Sequence, residues 1–257
     1  MDKFEFKEAC RSRRLCWGTA VSEHANAHVV RTMARAGFEW LWLENEHAHQ
    51  SYETVRDVAR TCEDVGIVCI MRVAQAEYTL IAKALDIGVH GIIVPRVETP
   101  EQVRYIVDCA KYPPIGKRGF GIRAMISGQQ SMQGRIRDQN EDRSLIVQVE
   151  SRRAVENVEA LLDAGDGQID ALIFGPADFQ MDVGRPDEPY LPELDAAARR
   201  VASVCAERGV SACVPLLGLE FARLWRERGF NLLSYGSDDY FFTSAAKQAR
   251  EELNEIT

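Results

Sequence analysis

The sequence has no apolar run approaching the roughly 18 residues that a membrane-spanning helix needs. Its opening, Met-Asp-Lys-Phe-Glu-Phe-Lys-Glu, lacks the apolar centre of a signal peptide. There is no CxxC pair and no zinc-like spacing. The seven cysteines, Cys10, Cys16, Cys62, Cys69, Cys109, Cys205 and Cys213, are an odd, scattered set, several of them inside apolar runs. Buried free thiols in a reducing cytoplasm are therefore expected. Positive charge is also wanting: the formal net charge is −8, which argues against a nucleic-acid or anionic-membrane surface. The patch Arg11-Ser12-Arg13-Arg14 is too short to reverse that. A glycine-rich phosphate loop is missing, since Gly119-Phe120-Gly121 follows no clear strand and lacks a third glycine. What remains is a soluble chain of 257 residues, 46% hydrophobic, able to build a core without disulfides and expected to form one domain over 1–257.

Eight short apolar runs alternate with segments of helical period. The runs are Leu15 to Ala20, Glu39 to Leu43, Ile67 to Arg72, Gly91 to Pro95, Leu145 to Val149, Ala171 to Phe174, Val210 to Pro215 and Asn231 to Tyr235. They are rich in Val, Ile and Leu without strict alternation, as parallel strands covered on both faces should be. Ser51 to Asp64, Glu77 to Leu85, Glu101 to Lys111 and Leu194 to Arg208 read as amphipathic helices. Thr99-Pro100-Glu101-Gln102 carries a capping box with proline in the first turn. Gly37, Gly66, Gly88, Gly209 and Gly229 stand where a helix must stop before the next strand. Eight such repeats predict an α/β fold of the (β/α)8 TIM-barrel type, with a doubly wound open sheet as the competing arrangement. Tyr112 to Arg143 breaks the rhythm and reads as a long loop, with a polar stretch from Ser127 to Gln133.

A TIM barrel builds its active site at the carboxyl ends of its strands. Read in order, those ends offer Trp17-Gly18, Glu44-Asn45-Glu46-His47, Arg72, Pro95-Arg96, Gln148 and Glu150, Asp178, Pro215 and Tyr235-Gly236. Glu150 and Asp178, delivered from successive strands, suit a hard divalent cation, because Mg²⁺ commonly takes one or two carboxylates and leaves the rest to water and substrate. Arg72 would set a fixed positive charge where an oxyanion develops, and His47 suits proton transfer near neutral pH. Plainer readings stand beside these. Asp178 would serve as a helix N-cap, Glu150 would pair with Arg152 or Arg153, and Arg72 would make a rim salt bridge. His24, His28, His49 and His90 read as structural or solvent-facing.

The residues resemble the HpcH/HpaI-type class II, pyruvate-dependent aldolases. The similar text is Ala36-Gly37-Phe38-Glu39-Trp40 leading to Glu46-His47-Ala48, Met71-Arg72-Val73, Leu85-Asp86-Ile87-Gly88 and Ile93-Val94-Pro95-Arg96-Val97. It continues with Tyr112-Pro113-Pro114, Gly116-Lys117-Arg118-Gly119, Gln148-Val149-Glu150 and Phe174-Gly175-Pro176-Ala177-Asp178. The resemblance spans nearly the whole chain and implies a (β/α)8 barrel in which Glu150 and Asp178 bind Mg²⁺, Mn²⁺ or Co²⁺. It implies that pyruvate chelates that cation and that Gln148 lies near metal and donor. Gly175 and Ala177 would border the pyruvate carboxylate, Arg72 would neutralise the enolate oxygen, and His47 would move protons. Metal polarisation needs no Schiff-base lysine, and none of the strand-end positions is a lysine. Trp17 and Pro215 would flank the substrate. The resemblance also implies a homo-oligomer, a hexamer or trimer, with 238–257 a C-terminal helix packed on or exchanged with a neighbour. Phe241 and Phe242 would be its anchors, and Asp86, with Arg118 and Gly119 of the Arg118 to Ile122 loop, would be interface contributors near the site.

Departures from the family's text fall before the histidine, where Glu44-Asn45 replaces Asp-Gly. Glu44 is then expected to orient the imidazole with one extra methylene, and Asn45 to tolerate a tight turn by entering the left-handed region. The implied reaction is reversible addition of a pyruvate enolate to an aldehyde, run in cleavage on a 4-hydroxy-2-oxo acid. The alternatives are an oxaloacetate or 2-oxo-acid decarboxylase on the same scaffold, and a weakened barrel serving as a binding protein.

Overall fold

The computed structural model of the protein describes residues 1–121, 131–186 and 188–256. Among them, eight parallel strands close into a barrel in chain order. The strands are β1 (Cys16–Val21), β2 (Trp40–Glu44), β3 (Val68–Arg72), β4 (Gly91–Val94), β5 (Ser144–Val149), β6 (Ala171–Phe174), β7 (Ser211–Leu216) and β8 (Leu232–Ser237). The helices are α1 (Lys3–Arg11), α2 (Ala27–Arg35), α3 (Tyr52–Val65), α4 (Tyr78–Ile87), α5 (Pro100–Ala110) and α6 (Met132–Asp142). They continue with α7 (Arg152–Glu156), α8 (Val158–Ala164), α9 (Pro176–Asp182), α10 (Pro192–Glu207), α11 (Leu219–Glu227) and α12 (Asp238–Asn254). The closed parallel barrel is the TIM-barrel expectation, and the open doubly wound sheet is set aside. No helix among the described residues is long and apolar enough to cross a membrane.

Strand residues divide by parity. Trp40, Val68, Ile70, Ile93, Ile146, Ile173 and Leu232 fill the barrel interior, whose amino end is plugged by Phe6, Ala9 and Cys10 of α1. The alternate residues, Leu41, Leu43, Cys69, Met71, Ile92 and Val94 among them, pack outward against the helices. Gly18 makes the interior possible: a Cβ there would sit 2.2 Å from Trp40 Cε2, so the bare backbone of β1 is what admits the indole. The capping box forms as expected, with Gln102 N–H donating to Thr99 Oγ1 and Thr99 N–H to Gln102 Oε1, and Pro100 opens α5. Gly66 and Gly88 end α3 and α4 in the left-handed conformation. At the carboxyl face, the buried Asp238 carboxylate accepts the amides of Ser22, Glu23 and His24 at 2.9, 3.1 and 2.6 Å, tying the loop after the first strand to the helix after the last.

The long loop expected over Tyr112 to Arg143 needs correction. It contains α6, capped by Ser131 Oγ, which accepts from Gly134 N–H at 3.1 Å. The buried residues of α6 are the polar Asn140 and Asp142, and Asn140 holds both the amide and the carbonyl of Tyr112 at 2.7 and 3.1 Å. A helix anchored by amide hydrogen bonds leaves no apolar period to read. Ile122 and the Ser127 to Gln130 part of the polar stretch lie outside the described residues.

Candidate active site

A cavity of about 530 Å³ opens at the carboxyl ends of the strands. Arg72, Gln148, Gly175, Ala177, Asp178 and Pro215, each singled out by sequence, line it together. The period-2 geometry explains the convergence: Gln148 continues the inward row of Ile146, and Arg72 that of Val68 and Ile70.

Arg72 is the electrostatic centre. Its Nη2 lies 2.5 Å from Glu44 Oε2 and its Nη1 lies 3.2 Å from Glu46 Oε2. Nη1 also donates to Gln148 Oε1 at 3.3 Å, and the guanidinium stacks 4.9 Å over Trp42. The ion pair of the plainer reading exists, but it is buried against the cavity rather than solvated at the rim. Arg72 Nε, Trp42 Nε1 and Ser234 Oγ are buried without a described partner, and all three residues line the cavity. Buried donors left unpaired inside a pocket are groups that a ligand oxygen can satisfy.

Glu150 sits beside this centre. Its Oε1 accepts Arg96 N–H at 2.8 Å, delivered by an Arg96 backbone at φ 57°, and its Oε2 takes the Gln148 amide. Burial, then the charge of Asp178, pushes the Glu150 carboxyl above its ordinary range, against the pull of those two hydrogen bonds. Arg152 and Arg153 pair elsewhere, with Asp182 and Glu98. Asp178 is not the N-cap of α9; Gly175 is, and Asp178 falls in the first turn, where the helix dipole favours an anion. A Cβ on Gly175 would lie 3.0 Å from Glu150 Oε2, so glycine keeps the space in front of the carboxylate open. Two mutually repelling carboxylates with only oxygen donors fit a hard divalent cation. Among the described residues no group of three or more His, Cys, Asp or Glu forms a denser metal cluster.

Three expectations are corrected. Trp17 is at the amino end of β1, where its amide donates to Glu39 at 2.9 Å, and it is absent from the cavity wall; β1 runs on to Val21, so the strand end lies beyond it. Glu44 does not orient the imidazole. Its Oε1 accepts the backbone amides of Glu46 and His47 at 2.7 and 3.0 Å, so it fixes the peptide that carries His47. The His47 ring is not part of the cavity wall; it is 64% exposed, with Nε2 3.9 Å from Glu46 Oε2. Asn45 does not enter the left-handed region; its Oδ1 closes the turn on Gln50 N–H at 2.7 Å. Asp86, Arg118 and Gly119 cluster apart from the cavity of their own chain. Arg118 pairs with Asp86 and stacks 4.7 Å over Tyr112, and Gly119 N–H donates to Tyr78 Oη at 3.0 Å. Asp86 lies in the last turn of α4, which leaves the carboxyl end of β3, and so toward the amino end of the barrel, whereas Arg118 and Gly119 lie in the segment after α5.

The sequence reading passed over Trp42, Gln180 and Ser234, and gave Glu46, named at the strand end, no role. Counting back by two from Glu44 and Gly236 reaches Trp42 and Ser234, so strand parity was a usable signal for those. Gln180, on α9, had none.

The sequence matches the HpcH/HpaI aldolase/citrate lyase family over residues 21–245. A 2-keto-3-deoxy-L-rhamnonate aldolase of Klebsiella pneumoniae subsp. pneumoniae is 31% identical over 227 residues, covering 86% of this chain and 82% of that protein. A hydroxypyruvate/pyruvate aldolase of Cupriavidus necator is 31% identical over 251 residues, covering 97% and 92%. Among solved structures, an HpcH/HpaI aldolase from Desulfitobacterium hafniense superposes with a TM-score of 0.90 at 24% identity over 98% of this chain and 97% of that one, a likeness of fold.

Proposed function

This chain belongs to the HpcH/HpaI aldolase/citrate lyase family and is an aldolase, a carbon–carbon lyase; from that premise we propose that it is a divalent-metal-dependent class II enzyme that uses pyruvate as donor. The carrying observation is that Arg72, Gln148 and Asp178 line one cavity while Glu150, bonded to the Gln148 amide and close enough to feel the charge of Asp178, lines an adjoining cleft that Asp178 shares. A cation held by Glu150 and Asp178, Mg²⁺, Mn²⁺ or Co²⁺, supplies Lewis-acid polarisation of a keto oxygen. Gln148 orients the donor, and the Gly175 and Ala177 backbone borders its carboxylate. Arg72, held by Glu44 and Glu46, faces the oxyanion of the pyruvate enolate with a charge already in place, so little reorganisation opposes its formation. His47, on a peptide clamped by Glu44, exchanges the proton between the donor methyl and solvent or aldehyde oxygen. Pro215 flanks the acceptor.

We also assign residues 1–257 to one barrel domain working in the cytoplasm as a homo-oligomer, a hexamer or trimer. Beyond Thr243 the terminal helix is exposed on every side, and Phe242, at 68% exposure, is bare. That supports seating of 238–257 on a neighbour, with Asp86, Arg118 and Gly119 at the contact.

The test is NMR of the pyruvate methyl protons in D₂O, first with chelator-stripped protein and then with each cation added. Metal-dependent deuterium exchange is expected. Exchange that survives chelation overturns the metal requirement, and no exchange with any cation overturns the donor assignment.

A further inference from the structure

The cavity wall changes character around the barrel. On the β3 to β5 side it is polar, with Arg72 and Gln148 leading to Asp178. On the β6 to β8 side and along α11 it is apolar, formed by Phe174, Leu216, Leu217, Phe221 and Trp225. This sector reaches the surface: Leu217 is 51% exposed, Leu219 and Tyr190 are more so, and Tyr190 stacks on Phe221 with centroids 5.9 Å apart. Large apolar side chains gathered at the mouth of a pocket mark a binding surface rather than ordinary core.

The polar groups on this side are few and mostly engaged. Ser237 Oγ caps α12 by accepting Tyr240 N–H at 3.1 Å, and the Tyr240 ring packs edge-on against Tyr235 with centroids 6.3 Å apart. Gln180 Nε2 and Ser234 Oγ remain, both buried without a described partner. Arg72 is the cation among the described lining residues, and two glutamates already flank it. A distal carboxylate on the acceptor would find no unpaired positive charge here, and a row of hydroxyls would find few partners along the apolar wall. An apolar body carrying one oxygen matches what is left.

We infer that the acceptor is an aldehyde with an apolar alkyl or aryl body. Its carbonyl lies toward Ser234 and the donor, and its body runs along Leu216, Leu217, Phe221 and Trp225. The assignment rests on the pyruvate-aldolase reading for the reacting end. The body's recognition stands on the cavity wall alone.

Two measurements on the full-length protein test it. Saturation-transfer NMR with 1-hexanol, benzyl alcohol and glycerol reads the apolar sector without turnover. Hexanol and benzyl alcohol are expected to bind at least tenfold more tightly than glycerol, and Leu217→Asp to weaken hexanol at least tenfold. Acceptor kinetics with pyruvate and added cation then compare butanal, hexanal and benzaldehyde with glyceraldehyde and succinic semialdehyde. The apolar set is expected to lead in kcat/KM by at least tenfold, gaining roughly fourfold per added methylene until the cavity fills. Hexanol binding without pyruvate exchange would keep the apolar ligand and remove the donor reading. Pyruvate exchange with glyceraldehyde or succinic semialdehyde preferred overturns the inference and leaves the donor reading intact. Absence of hexanol binding overturns it whatever the kinetics show.

Discussion

Glu44 and Arg72 end neighbouring strands in register, and their charged groups meet at 2.5 Å with both side chains buried. The other Glu44 oxygen holds the amides of Glu46 and His47. One carboxylate thereby fixes the cation that faces the enolate and the peptide that carries the proton-transfer group.

Removing that carboxylate is expected to damage both. Glu44→Ala leaves the buried guanidinium with Glu46 as its remaining carboxylate, a loss of up to about 3–5 kcal/mol, to be measured by urea denaturation. Glu44→Gln retains an oxygen for the two amides but not the charge. It should fold more stably than Glu44→Ala while still losing most of the pyruvate exchange rate. Equal stability of the two variants would show that the charge, not the amide clamp, accounts for the whole effect.

Glu150→Ala and Asp178→Ala are each expected to abolish metal-dependent exchange and Mn²⁺ binding read by electron paramagnetic resonance. The pH dependence follows from the raised Glu150 carboxyl. A carboxyl with a folded pKa above its unfolded value favours the fold when protonated, and that contribution is lost as pH rises through the raised value. Glu150→Gln should therefore raise the thermal midpoint of the metal-free protein above neutral pH. In the wild type, acid should weaken Mn²⁺ binding, because proton and cation compete for the same oxygens. Affinity unchanged between pH 5 and 7.5 would exclude Glu150 as a ligand.

His47→Ala is expected to keep cation and pyruvate binding and to slow methyl exchange by roughly 10² or more. The ring is largely exposed, so stability should hardly move. An unaltered exchange rate assigns the proton to another group.

Gly18→Ala should destabilise by about 1–3 kcal/mol, the usual result of overpacking a filled interior, since the new methyl falls on the Trp40 indole. Gly18→Ala combined with Trp40→Leu should recover part of the loss. Additive losses in the double variant would contradict the packing account.

Barrel class, strand order and the polar ends of β3, β5 and β6 were legible because buried parallel strands are apolar on both faces, so a polar residue at their ends stands out. Arg72, Gln148 and Glu150 are such residues. The misreadings share a cause in what period alone does not encode. Trp17 is offered as a strand end although the Leu15 to Ala20 run continues past it; the glycine that follows admits Trp40, and β1 extends to Val21. Helix α6 was hidden because its anchor is Asn140 rather than an apolar stripe. The partners of Glu44 were invisible for a third reason: its carboxylate bonds to backbone amides, which every sequence has.

All seven cysteines are buried, and burial pushes Cys16 and Cys205 up to about 12. The thiolate is the reactive form, so the folded protein offers maleimides almost nothing to attack. A single cysteine placed at an exposed rim position such as Leu219 thus becomes a lone chemical handle. A dye or spin label attached there can report from the mouth of the cavity without removing any native thiol.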